Sequence, residues 1–166
     1  MGSIKNETFD VEFILRTQKL IQEYRGTYNI TLLLNCLLGL IILPTEFYSR
    51  KSRTFFTKQL TDYKEIEELI KIISFNPTKR DKKGKGFKPD EKTLNILIKK
   101  IRNGIAHQQI ECVDKKGKWV SVTIRDFNKF NNNNLELELT WTIKQLKEFS
   151  IFISGKYIDE INNINR

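Results

Sequence analysis

Residues 94–107 read LNILIKKIRNGIAH, and this stretch decides the fold expected for the chain. Its apolar residues recur at helical spacing, which predicts a long amphipathic helix. At about 100° per residue, Asn103 and His107 lie about 40° apart on the face opposite the apolar stripe, with Arg102 at the edge of that face. The helix therefore buries one side and directs the polar residues of its last turns away from the core. The stripe consists of Leu94, Leu97, Ile98, Ile101 and Ile105.

Helical periodicity also organises the rest of the chain. Residues 9–24 predict a first helix, and a third helix is expected from residue 62 until Asn76-Pro77 ends it. Residues 28–43 are hydrophobic all round, which favours a central buried helix. They are too few for a membrane span, which needs roughly 20 apolar residues. Residues 78–89 hold lysines, glycines and few apolar side chains, which predicts a mobile loop.

The period changes after the helix at 94–107. Residues 110–124 predict a β-hairpin around a Lys-Lys-Gly-Lys turn, and residues 135–140 alternate as a third, half-buried strand. Trp119 and Trp141 are expected in the core. A last helix is predicted over 141–161. The expected fold class is therefore mainly α, a helical bundle with a small appendage of a β-hairpin and a third strand between the last two long helices.

Length and composition limit the kinds of protein that the chain can be. At 166 residues, one domain over 1–166 is expected, with residues 1–3 consistent with residues left by cloning. There are 29 Lys and Arg against 20 Asp and Glu, a formal charge of +9, which favours a polyanionic partner such as RNA. Two distant cysteines and no secretory leader indicate a reduced, cytoplasmic protein. Since residues 28–43 are too few to span a bilayer, no membrane segment is expected. With one histidine, no metal or other cofactor is expected.

The motif from Arg102 to His107 contains groups suited to RNA cleavage without a metal. An imidazole exchanges protons near neutral pH, so His107 is the candidate base or acid. The planar guanidinium of Arg102 suits a phosphate that gains charge in the transition state. Asn103 can orient either group. One histidine must serve two proton transfers, which favours a two-fold homodimer with the active site at its interface. Alternatively, Arg102 and His107 only complement the helix dipole.

The same motif resembles the R-N-x-x-x-H signature of the HEPN superfamily, helical-bundle proteins of which many are metal-independent ribonucleases acting as dimers. In those proteins the signature lies late in the bundle, and here it ends the penultimate long helix. Residues 28–31 and 35–46 also resemble the early helix of a plasmid- and defence-associated HEPN nuclease family. The resemblance implies an endoribonuclease that is the toxic effector of a toxin–antitoxin or anti-phage defence system, with an antitoxin or defence protein as partner.

Further residues are candidates for contacts around this motif. Lys99 and Lys100 are expected on the outward face of the helix, and phosphate contacts are expected from these two and from four lysines of the basic stretch before it, although such lysines can also be ordinary solvated surface. The six lysines are Lys82, Lys83, Lys85, Lys88, Lys99 and Lys100. Asn35 and Glu46 are candidates for supporting Arg102 or His107, the alternatives being a satisfied buried Asn and a helix-capping Glu. The alternative for the whole chain is a catalytically inactive HEPN-like module that binds RNA or protein.

Overall fold

The computed structural model describes residues 9–26, 31–36, 39–40 and 56–164. Its helices are α1 (Phe9–Glu23), α2 (Lys64–Leu69), α3 (Leu94–Ala106) and α4 (Ile143–Ile164), with a short 3-10 helix at Leu60–Asp62. Residues 31–36 and 39–40 are also helical, as expected for part of the central helix. The rest of that prediction, over 28–43, lies outside the described residues. None of the described helices is long and apolar enough to cross a bilayer.

Six strands accompany these helices in the described part of the chain. They are β1 (Lys71–Phe75), β2 (Thr78–Arg80), β3 (Phe87–Pro89), β4 (Ile110–Lys115), β5 (Lys118–Asn128) and β6 (Asn134–Thr142). Four of them form an antiparallel sheet in the order β1-β6-β5-β4, and β2 pairs with β3 in a separate hairpin. The expected hairpin at 110–124 and the third strand are confirmed as β4, β5 and β6. The prediction of a mainly α bundle is wrong, because a full sheet stands where a small appendage was expected.

Part of the error in the fold class comes from the third predicted helix, which was expected to run from residue 62 to residue 76. It ends at Leu69, and Ile70 already has an extended backbone with φ −141° and ψ 133°. From Lys71 the chain pairs with β6, and Ile73, whose spacing suggested a continued helix, is 54% exposed on that strand. Isoleucines at 70, 72 and 73 favour extended backbone, since β-branched side chains are restricted in helices. The pairing that stabilises β1 lies about 65 residues away, beyond what local periodicity can detect.

The basic stretch at 78–89 is a hairpin rather than the expected mobile loop. We call β2, β3 and their connection the basic hairpin. The Asp81 carboxylate accepts backbone hydrogen bonds from Lys83 at 3.0 Å and Lys85 at 2.9 Å. Gly84 supplies the positive φ of 67° that the turn requires. An Asp side chain that holds two backbone amides orders a loop of otherwise polar residues.

One core joins the sheet to the helices. Trp141 on β6 is fully buried, as expected, and its ring lies 5.4 Å from that of Phe149 on α4. Trp119 at the start of β5 is 48% exposed, so its expected place in the core is wrong. The last helix begins at Ile143 rather than at residue 141. Its start is capped by Thr142, whose backbone N–H donates to the Gln145 side chain at 3.0 Å and whose hydroxyl accepts from the Gln145 backbone at 3.2 Å.

Candidate functional site

Helix α3 carries the motif and is fixed along its whole apolar side. The side chain of Thr93 accepts a hydrogen bond from the backbone of Ile96 at 3.4 Å and so caps its first turn. All five residues of the predicted stripe are buried, at 0% exposure for four of them and 8% for Ile105. The apolar side of α3 is therefore committed to the core of its own chain, and of the chemically active residues of the motif His107 is exposed while Arg102 and Asn103 are half-buried.

Gly104 lets α3 approach the sheet at the motif itself. A Cβ atom at this position would lie 2.3 Å from the backbone oxygen of Arg125 and 2.5 Å from Cγ2 of Ile124, both on β5. Real Cβ contacts are never that short, so only a residue without a side chain fits. Gly104 was not singled out from the sequence. A glycine within an otherwise helical pattern was the available signal, because such a glycine often has a packing role.

His107 stands at the end of α3, where the chain turns towards β4. The next residue, Gln108, has a positive φ of 57°. The backbone N–H groups of Gln108 and Gln109 donate to Ile105 at 3.0 Å and to Gly104 at 2.8 Å. These two bonds form a Schellman motif that satisfies the last carbonyls of the helix. His107 is the C-cap residue and is exposed, so its imidazole is open to solvent at a fixed point of the backbone.

Arg102 and Asn103 are half-buried. The side chain of Asn103 lies near Asp126 on β5, which is 4% exposed, and favours the ionised carboxylate there. Burial raises the pKa of Asp126, and this effect outweighs the opposing influences of Lys100 and Asn103. Asn103 thus faces the sheet, one helical turn before the exposed His107, and the expectation that it is directed away from the core is wrong.

Lys100 lies in a buried ion cluster, not on the outward cationic face expected from the sequence. Its Nζ is 3.1 Å from Oδ2 of Asp126 and also contacts Oε2 of Glu136, and its side chain is only 13% exposed. Burial would lower the pKa of Lys100, but the hydrogen bond to Glu136 and the charge of Asp126 raise it. Both carboxylates thus contact the single positive charge of Lys100. Its neighbour Lys99 is exposed. The expectation that Lys100 shares an exposed face with Lys99 is wrong.

Glu136 connects this cluster to the basic hairpin. Its side chain is fully buried, and its Oε1 accepts hydrogen bonds from the Thr78 backbone at 3.2 Å, from the Thr78 hydroxyl, and from Asn128 at 3.0 Å. Burial would raise the pKa of Glu136, but the bonds from Lys100, Thr78 and Asn128 lower it. Neither Asp126 nor Glu136 was singled out from the sequence, because an alternating Leu-Glu-Leu pattern predicts that the glutamates face solvent.

The remaining candidates are exposed residues or lie outside the described part of the chain. The four hairpin lysines, Lys82, Lys83, Lys85 and Lys88, are all exposed. Asn35 is an exposed residue of the helical segment 31–36, so the alternative of a buried Asn is wrong. Glu46 lies outside the described residues. Within residues 9–26, 31–36, 39–40 and 56–164, no three His, Cys, Asp or Glu side chains are grouped as metal ligands would be.

The Arg-Asn-x-x-x-His motif ends a helix that packs on a sheet, and it resembles the signature of the HEPN superfamily. The family model described as HEPN pEK499 p136 matches residues 1–164, and the chain therefore belongs to this family. HEPN domains are generally associated with ribonuclease activity, and they commonly bind RNA and dimerise. No curated protein and no solved structure matches the chain.

Proposed function

We propose that this HEPN protein is a metal-independent endoribonuclease and the toxic effector of a toxin–antitoxin or anti-phage defence system. The observation that carries the proposal is the exposed His107 at the end of α3, five residues after Arg102, in a chain whose family is HEPN. An exposed imidazole on a backbone that is fixed by a Schellman motif is accessible to a bound substrate.

The proposed reaction uses the substrate's own 2′-hydroxyl as the nucleophile. His107 takes the proton of this hydroxyl, its oxygen attacks the adjacent phosphorus, and the bond from phosphorus to the 5′-oxygen breaks. A protonated imidazole gives its proton to the departing oxygen, so the products are a 2′,3′-cyclic phosphate and a 5′-hydroxyl. The guanidinium of Arg102 stabilises the charge that develops on the phosphate oxygens.

Asn103 has the role of an orienting residue in this proposal. Its side chain lies near Asp126, which in turn contacts Lys100, so it is placed between the sheet and the end of α3. An Asn one turn before His107 can position the phosphate or the imidazole without itself exchanging a proton. Lys99 and the hairpin lysines supply further phosphate contacts, while the charge of Lys100 is used within the protein.

The active unit in this proposal is a two-fold homodimer. Each chain has a single histidine, whereas the reaction needs one group to accept a proton and one to donate it. The apolar side of α3 is buried in its own chain. A second copy that approaches through the His107 face brings two imidazoles and two guanidinium groups to one cleft.

The test is cleavage of total RNA in EDTA, with the termini of the products analysed. Wild-type protein is expected to cut and to leave cyclic phosphate ends, whereas His107→Ala and Arg102→Ala do not cut. Arg102→Lys keeps the charge without the planar fork and should also be strongly impaired. Gln22→Ala, at an exposed polar residue of α1 away from the motif, is the control and should cut normally. RNA that is bound but stays intact with wild-type protein would contradict the proposal and indicate a binding module.

A further inference from the structure

Phe130 is the most exposed large hydrophobic residue in the described part of the chain, at 79%. It lies in the turn between β5 and β6. The Arg80 guanidinium of the basic hairpin stands 5.5 Å from the centre of its ring and 5.9 Å from that of Phe87. These distances allow cation–π interactions with both rings. An aromatic ring is thus held open to solvent beside a cation rather than packed into the core.

The turn that carries Phe130 is tied to the basic hairpin by one side chain. Asn128 accepts a hydrogen bond from the Phe130 backbone at 3.1 Å and donates to Thr78 at 3.2 Å and to Glu136 at 3.0 Å. Asn132 and Asn133 follow with positive φ values of 52° and 55°, which asparagine tolerates better than most residues. Since Glu136 also contacts Lys100 of α3, the exposed ring, the hairpin and the motif helix share one buried anchor.

The turn that carries Phe130 and the basic hairpin beside it both carry exposed lysines. Lys129 precedes Phe130, and the four hairpin lysines are on the same hairpin as Arg80. The acidic residue within that hairpin, Asp81, uses its carboxylate to hold the loop backbone. Lys79 is paired with Asp90 at 2.6 Å. The excess charge here is therefore positive, which complements the phosphates of a nucleic acid.

We propose that Phe130, with Arg80 beside it, is a stacking platform for a base of single-stranded RNA whose phosphates contact the basic hairpin. The inference rests on the proposed function, because it assigns a second contact region to the same RNA. Bases stack on exposed aromatic side chains while basic side chains follow the backbone, and this mode tolerates any sequence. The platform holds a base that is unpaired, so it selects single-stranded over double-stranded substrate.

The test measures binding of a fluorescent eight-nucleotide uridine RNA by anisotropy, in the His107→Ala background so that the RNA stays intact. Phe130→Ala is expected to weaken binding about tenfold, the typical effect of losing one stacked base. Phe130→Trp should retain binding, and Phe130→Leu should lose it, because only an aromatic ring stacks. Trp119→Ala is the matched control: it removes an exposed aromatic side chain at the opposite end of β5, roughly 30 Å away, and should leave affinity unchanged.

An abasic version of the oligonucleotide separates stacking from charge. Wild-type and Phe130→Ala proteins should bind it equally, and the salt dependence of RNA binding should be the same in both, because Phe130 contacts no phosphate. Equal affinity of the two proteins for the uridine RNA, with cleavage by His107-containing protein intact, would overturn the platform and leave the proposed function standing. Absence of both binding and cleavage by wild-type protein would instead overturn the proposed function.

Discussion

The backbone oxygen of Arg125 occupies the space into which a side chain at Gly104 would project, since a Cβ atom there would lie 2.3 Å from it. In the helical turn that carries the motif, the backbone of α3 therefore packs directly against the backbone of β5. The side chain of Asn103, the preceding residue, lies near Asp126 on the same strand and favours its ionised form. The position of the motif relative to the sheet is consequently set by a steric contact and a polar contact next to each other.

Gly104→Ala is expected to destabilise the protein by about 1–3 kcal/mol, because the added methyl group meets backbone that cannot move aside. In a domain of this length the melting temperature should fall by about 3–10 °C, measured by circular dichroism. RNA cleavage below the melting temperature should fall as well, because the helix must shift to admit the methyl group.

Gly155→Ala on α4 is the matched control. Among the described residues, nothing lies within 4 Å of a Cβ atom at this position. Alanine in a helix interior is favoured over glycine by roughly 0.5–1 kcal/mol, so this variant should be slightly more stable than wild type. An unchanged melt for Gly104→Ala would mean that α3 and β5 are not packed as closely as described.

Lys100→Met is expected to cost about 3–5 kcal/mol at pH 7, because it leaves two buried carboxylates without their cation. Lys99→Met changes the exposed neighbour and should alter the free energy of unfolding by less than about 0.5 kcal/mol. Urea unfolding of both variants measures the difference. Equal effects of the two substitutions would show that Lys100 is not buried in an ion cluster.

The cost of Lys100→Met should depend on pH. The pKa of Glu136 lies below its ordinary value, so Glu136 contributes stability above its unfolded-state pKa of about 4.3, and this contribution is lost as pH falls through the folded value. The pKa of Asp126 lies above its ordinary value, so its protonation on acidification restores stability. Without Lys100 both carboxyl groups protonate at higher pH. The stability difference between wild type and variant should therefore shrink from pH 7 to pH 4.

Local sequence patterns predicted those parts of the molecule that depend on neighbours along the chain. The apolar stripe of α3 and the hairpin of β4 and β5 are of this kind, because periodicity and turn residues reflect burial of one element at a time. The motif at 102–107 was identified for the same reason. Each of these predictions needed only the order of residues within about 15 positions.

Contacts between distant segments account for what the sequence did not predict. Strand β1 exists because β6 offers an edge to pair with, and Lys100 is buried because Asp126 and Glu136 come from two other strands. Glu136 and Glu138 occupy the same alternating pattern, yet Glu136 is fully buried. Nothing in that pattern distinguishes the buried glutamate, since its partners Thr78 and Lys100 are far away in sequence.

A single 2′-deoxynucleotide at the cleavage site should leave RNA binding unchanged and abolish cutting there. The proposed nucleophile is the 2′-hydroxyl, so its removal stops the reaction without affecting phosphate or base contacts. A DNA oligonucleotide should likewise bind and survive. Gel analysis of end-labelled substrates in EDTA gives the result, with the all-RNA oligonucleotide as control. Cutting at the deoxy position, or activity that EDTA removes and magnesium restores, would contradict the mechanism.

The last prediction concerns the dimer, whose interface is expected to contain the exposed His107. The apolar stripe of α3 is already buried within the chain, so a second copy can reach His107 only from the other side of the helix. Mixing wild-type protein with excess His107→Ala at saturating RNA should reduce the activity per wild-type chain, because mixed dimers contain one imidazole where the reaction uses two. Saturating RNA prevents the variant from acting merely as a competitor for substrate. Sedimentation should give about twice the chain mass of 19.6 kDa. Undiminished activity per wild-type chain, together with a monomer that stays fully active on dilution, would show that each His107 works within its own chain.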